Sequence, residues 1–318
     1  MKGRRGLAVA AALLCVVVTV GCGLGPGESI GSIELRVTRD YGATAVVEPV
    51  RVKAHESDTV LRLLDGETEV GTRYGGAFVQ SVDGVEGAER SGRRYDWFFY
   101  VDGVESPAGA ADVVPADGQD VWWDYRDWSS AMRVPAVVGA FPEPFEHGFE
   151  GHTYRTRIDC LGARAPCDLV QLALQREGVE AGVSEADRAP GLDAEATLRI
   201  LVGPWRRVGE DPAATLIEEG PATSGVFARF GGQGPAASMT ALDERGRAVR
   251  RFGPAAGLVA AVRLEDHPPT WVVTGTTEHG VTAAARALSD GALRGRYALI
   301  VPPGDAEGVS VPVPGPAG

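Results

Sequence analysis

The sequence is short of positive charge. It holds 31 lysines and arginines against 43 aspartates and glutamates, a net charge of −12. A chain of this sign repels a phosphate backbone, which excludes nucleic-acid partners. Long apolar runs are scarce too. The N-terminal run over residues 7–20 has 14 residues, short of the roughly 20 a spanning helix needs, so a polytopic membrane protein is excluded. Histidine and cysteine are few, five and four. No HExxH, P-loop or GxGxxG pattern occurs, and no EF-hand-like spacing offers a calcium site. His147 and His152, five apart in a Gly-rich stretch, read as a surface pair rather than metal ligands. No catalytic residue, cofactor or metal site is therefore assigned, and an enzyme ranks behind a binding protein.

What is present is globular. Hydrophobic residues make up 44% and charged residues 23% of 318 positions, a composition and length that suit two domains. Residues 1–21 read as an export signal: Lys2, Arg4 and Arg5 precede the apolar run. The run ends in Thr19-Val20-Gly21-Cys22, which resembles the lipobox of bacterial lipoproteins. The resemblance implies a lipid on Cys22, anchoring at the outer face of the cell membrane, and residues 22–31 as a tether. The alternatives are an uncleaved anchor and an ordinary signal with a stray Cys. Loss of the signal leaves 28 basic against 43 acidic residues, or −15. Export also makes Cys160 and Cys167 a disulfide expectation, closing a small loop before a helix that begins near Asp168.

The fold class expected is α+β: an N-terminal domain over 32–128, a Pro-rich connector over 129–150, a second mixed α/β domain over 151–303, and a disordered tail over 304–318. In the first domain Ile33, Leu35 and Val37 alternate with polar residues, as in a half-buried strand. Strands over 45–54, 77–82, 97–101 and 120–125 and a helix over 59–64, capped from Ser57 and Asp58, complete a small sheet on one helix. In the second domain strands are expected over 154–159, 197–202, 225–230, 238–242, 258–263, 271–274 and 297–301, with helices over 168–177, 212–219 and 278–289. The apolar side chains of the connector, among them Phe141, Phe145 and Phe149, imply that it is packed.

Nine of the 22 aromatic residues fall between Tyr95 and Trp128. Neighbours on a strand point to opposite faces, so Trp97 and Phe99 oppose Phe98 and Tyr100, and Trp122 opposes Trp123. One thin sheet with one helix cannot cover both faces. The surplus rings must meet the second domain, a partner or a ligand, and the second domain and a ligand weigh about equally. The candidate ligand-binding residues are Trp97, Phe98, Tyr100, Trp122, Trp123 and Tyr125.

The stretch GGAFVQSVDGV from Gly75, followed by YDWFFYVDGVESPAGAADVVPADGQDVWWDY from Tyr95, resembles the transcobalamin-like C-terminal domain (DUF4430) family over about residues 32–128. The resemblance implies a β-grasp-like fold and a binding role, with cobalamin or another corrinoid as ligand and a membrane vitamin transporter as partner. The large helical domain of the animal carriers is absent. The expected function is a membrane-anchored extracytoplasmic binding lipoprotein. The alternative is a non-enzymatic cell-envelope interaction or scaffold lipoprotein with no small ligand.

Overall fold

Two large sheets, each with its own helices, and two small three-stranded sheets make up the computed structural model, which describes residues 27–76, 78–188, 197–232, 234–305 and 307–315. The signal and Cys22 lie outside the described residues. The class is α+β.

The first block runs β1 (Ser29–Arg39), β2 (Thr44–His55), α1 (Val60–Glu67), β3 (Val70–Arg73), β4 (Phe78–Val82), β5 (Val85–Glu86), β6 (Ala88–Arg90), β7 (Arg93–Val101), β8 (Val104–Glu105) and β9 (Asp120–Asp127). Its main sheet has the order β2-β1-β9-β7-β6, with β8 also on β7. β1 and β9 are parallel and the remaining pairs antiparallel. The period-2 alternation decides which face is dry: Ile33, Leu35, Val37, Val121 and Trp123 pack on Val60, Leu63 and Leu64 of α1. The helix is capped by Thr59, whose hydroxyl accepts from Arg62 N, one residue beyond the caps expected. Asp58 instead accepts from His55 N at 2.9 Å.

The second block runs β10 (Arg155–Cys160), α2 (Arg164–Arg176), β11 (Ala181–Glu185), β12 (Thr197–Pro204), α3 (Trp205–Val208), α4 (Pro212–Glu219), α5 (Pro221–Ser224), β13 (Ala228–Gly231), β14 (Ser238–Leu242), β15 (Ala248–Phe252), β16 (Gly257–Val262), β17 (Thr270–Gly275), α6 (Glu278–Arg286), α7 (Asp290–Leu293), β18 (Ala298–Val301) and β19 (Val309–Val311). The sheet order is β11-β10-β12-β17-β16-β18-β19, and its first four strands are parallel. Buried on both faces, β12 and β17 read as largely apolar runs such as LRILV at 198–202. The Cys160–Cys167 disulfide is present, with Cα atoms 5.8 Å apart. Its second cysteine lies inside α2, which starts at Arg164 rather than near Asp168.

The tail needs correction. Residues 304–318 are not wholly disordered: Val309–Val311 pairs with β18, and Val311 is fully buried. The alternation Val309, Val311, Val313 supplies an apolar face that Pro and Gly content obscured.

The connector is packed, as its composition implied. Ala131, Val134 and Val137 enter the core shared with the first block, while Val138, Phe141, Phe145 and Phe149 enter that of the second. The blocks meet closely at Gly42, where φ is +81° and a Cβ would stand 1.9 Å from the Gly295 carbonyl oxygen.

Candidate functional site

The two faces of β7 and β9 have different fates. In register, Trp97 faces Tyr125, Phe99 faces Trp123, and Tyr100 faces Trp122. Trp97, Phe99, Trp123 and Tyr125 belong to the core over α1. Tyr125 donates its hydroxyl to Glu86 O at 2.8 Å. Tyr100 and Trp122, on the other face, are fully buried against the second block. There Tyr297 lies edge-on to Trp122 at 5.3 Å and to Tyr41 at 4.9 Å. The surplus rings on this face therefore meet the second block. Tyr100, Trp122 and Tyr125 are not brought to an accessible surface.

Phe98 is half-buried at one, and the buried rings of Trp97 and Trp123 lie beneath it. β7 is paired by β9 along one edge, but on the other β6 covers only Arg93–Tyr95 and β8 only Tyr100 and Val101. Between them a groove of about 470 Å³ crosses the strand edge and so touches side chains from both faces. Its walls are Trp97, Phe98, Phe99 and Trp123, with Trp128 and Met132 beyond. Phe78 and Met132 form exposed apolar lips, 39% and 66% accessible. Neither was chosen from sequence, and nor were Asp96 and Arg133 at the rim. Phe78 stood within the quoted Gly-Gly motif, but no local signal placed it opposite Met132.

The groove has a fixed floor. Trp97 Nε1 donates to Val85 O at 2.9 Å, and its backbone N–H donates to Asp96 Oδ1 at 3.0 Å. Burial lifts the Asp96 carboxyl above its ordinary range, and the Trp97 N–H opposes that in part. Phe98 is backed by the buried Arg126 guanidinium, 3.7 Å from the ring centroid. Trp123, only 2% exposed, borders the groove, and its buried indole N–H has no partner among the described residues. A buried donor without an acceptor is costly.

Residues 57–127 match the family described as Domain of unknown function (DUF4430). The match covers the groove's Phe78, Trp97, Phe98, Phe99 and Trp123 and leaves out β1 and β2. No curated protein matches the chain. No described helix is long and apolar enough to cross a membrane.

A second polar cluster lies in the connector. Glu143, Glu146 and His147 bring ligand-type atoms within 4.8 Å of one another, so His147 is grouped with carboxylates and not with His152. Its Nδ1 is 2.5 Å from Glu143 Oε1. Burial disfavours the imidazolium, but the hydrogen bond to Glu143 and the charges of Glu143, Glu146 and Asp117 outweigh it, so the pKa is raised above 6.5. A histidine raised on folding stabilises fully below its unfolded value and loses that contribution as pH rises through the folded one. Stability measured by urea unfolding should therefore fall as pH rises from about 6.5, and His147→Gln should flatten that slope. An unchanged slope in the variant would refute the assignment.

Proposed function

We propose that this chain is an exported, lipid-anchored binding protein that seats a small vitamin-class ligand, a corrinoid first, in the groove across β7. The observation that carries the reading is the groove itself: aromatic walls and exposed apolar lips in one place. Apolar cavities with a few convergent polar groups are the usual form of a ligand seat, and exposed apolar rims mark surfaces that something covers. The corrinoid identity is supported only by the resemblance of residues 75–125 to transcobalamin-like domains, along with the β-grasp-like reading of the first block. A corrinoid is larger than the groove, so one edge of it would enter between Phe78 and Met132. Cys22 would carry the lipid and hold the protein at the outer face of the membrane beside a vitamin transporter. The role is capture, not catalysis.

The scaffold reading, without a small ligand, draws support from the burial of Trp97, Trp122, Trp123 and Tyr125, each no more than 6% exposed. Equilibrium dialysis of the full chain in detergent against cyanocobalamin separates the two. Saturable binding is expected, weakened at least tenfold by Phe78→Ala and by Met132→Asp, about 1.4 kcal/mol or more. Both side chains are exposed, so neither change should disturb folding. Failure to bind any corrinoid would remove the ligand class and favour the scaffold. Binding indifferent to both lips would place the ligand elsewhere.

A further inference from the structure

The second block carries a cavity of its own. β10, β12 and β17 are parallel, so their carboxyl ends, Cys160, Pro204 and Gly275, lie along one edge of the sheet. The order β11-β10-β12-β17 means that the chain leaves β10 to one side and returns on the other. Such a reversal opens a crevice at the carboxyl ends, the preferred ligand position in sheets of this kind. Part of this edge is already taken by the protein's own carboxylate. Ala163 N donates to Glu278 Oε2 at 3.4 Å, and a Cβ on Gly162 would stand 3.1 Å from Glu278 Oε1. A simple anion at the start of α2 would meet that charge.

Beside it is a cavity of about 610 Å³ whose lining includes Trp205, Phe230, Arg206, Glu210 and Glu218. Its aromatic wall is fixed. Trp205 stacks flat on Phe230, with centroids 4.0 Å apart and planes 7° from parallel. Gly209 lies against the same indole, where a Cβ would come within 3.0 Å of the ring. The indole N–H donates to Glu218 Oε1 at 3.2 Å. Arg206 and Glu210 are exposed, four residues apart and opposite in charge. Yet no ion pair is recorded for either among the described residues, although both line the cavity.

We propose that this cavity is a second ligand site, for a zwitterionic amino acid or dipeptide with an apolar side chain. The ligand ammonium is held by Glu210 and Glu218, its carboxylate by the Arg206 fork, and its side chain by the Phe230 ring. A guanidinium binds a carboxylate through two parallel N–H donors, and the cavity volume lies within the range of small-molecule sites. The two rim charges of opposite sign are what select a zwitterion over a simple cation, anion or sugar.

Isothermal titration of the full chain in detergent tests this with glycyl-L-phenylalanine, L-phenylalanine and the blocked N-acetylglycyl-L-phenylalaninamide. At least one charged probe should bind saturably, at least tenfold tighter than the blocked one, and the tighter of the two charged probes says whether an amino acid or a peptide is preferred. Arg206→Gln should lower that affinity at least tenfold without moving the melting temperature, because Arg206 is exposed. Met132→Asp should leave it unchanged. No saturable binding of either charged probe, equal binding of the blocked one, indifference to Arg206→Gln, or a loss in Met132→Asp would each overturn the proposal.

Discussion

Asp124→Ala is expected to destabilise the whole chain by about 3–5 kcal/mol and to loosen both blocks together. Asp124 is fully buried and accepts three hydrogen bonds: from Thr38 Oγ1 at 2.6 Å, Gly42 N at 3.1 Å and Tyr297 Oη at 2.9 Å. Thr38 in turn accepts from Trp122 Nε1 at 2.7 Å, and Tyr100 donates to Tyr297 at 3.2 Å. One carboxylate thus ties the β1–β2 turn, β9 and the entry to β18. Alanine takes the acceptor from the buried Tyr297 O–H, at about 1–3 kcal/mol, and from the part-buried Gly42 N–H. Thr38 can still turn to Trp123 O, 3.3 Å away. Asp124→Asn should cost only about 1 kcal/mol, because an amide N–H could donate to Tyr297, which would then donate to Tyr100.

The pH response carries a sign of its own. Burial raises the Asp124 pKa above the ordinary carboxylate value of 3.8, against the opposing hydrogen bonds and the Arg126 charge. A carboxyl raised on folding takes up its proton more readily in the folded state, so its burial penalty is present at neutral pH. The penalty declines as pH falls through the raised value and is gone below 3.8. The difference between wild type and Asp124→Asn should therefore shift in favour of wild type with acidification. Urea unfolding of the full chain at pH 7 and pH 5 measures both effects. A loss below about 1 kcal/mol in Asp124→Ala would mean that the junction is not held by this carboxylate.

Much of this frame was legible because local periodicity wrote it. Ile33, Leu35 and Val37, or Trp97 against Phe98, declare two faces by alternation alone, and both strands are found there. The disulfide was legible from the spacing of its two cysteines and the compartment expected of the chain. What local pattern could not supply was the covering of each face. Tyr100 and Trp122 look equally fit for a ligand or a neighbour, and the choice is made by Tyr297, almost two hundred residues downstream. The groove has the same difficulty, since one lip, Phe78, lies inside the matched segment and the other, Met132, beyond it. The parallel core of the second block was hidden by β13 to β16, which interrupt the passage from β12 to β17. The start of α2 was misplaced because its N-cap, Ala163, makes no side-chain capping bond and Pro166 sits in the first turn.

Arg126→Ala should cost a comparable 3–5 kcal/mol and, unlike Asp124→Ala, should dismantle the groove. The guanidinium is fully buried, donates to Ala131 O at 2.8 Å and Met132 O at 3.2 Å, and stands 3.6 Å from Glu105. Glu105 also accepts from Val134 N at 2.7 Å and Arg133 at 3.1 Å. The cation therefore fixes the chain that carries Met132 and presses on the back of Phe98. Removing it leaves two carbonyls without their donor, weakens the counter-charge at Glu105 and opens a void beneath Phe98. Arg126→Met fills the void but not the charge deficit. Adding Glu105→Gln to it removes the stranded charge while keeping an acceptor for Val134, and should recover about half of the lost stability. Arg126→Lys keeps the charge but cannot reach both carbonyls with a planar fork, so it should fold yet bind the groove's ligand more weakly. Urea midpoints of the four variants, set beside their affinities for the ligand that the groove accepts, separate the two roles. If Arg126→Met alone matches wild type in stability and binding, the buried cation is neither holding the chain that carries Met132 nor shaping the wall.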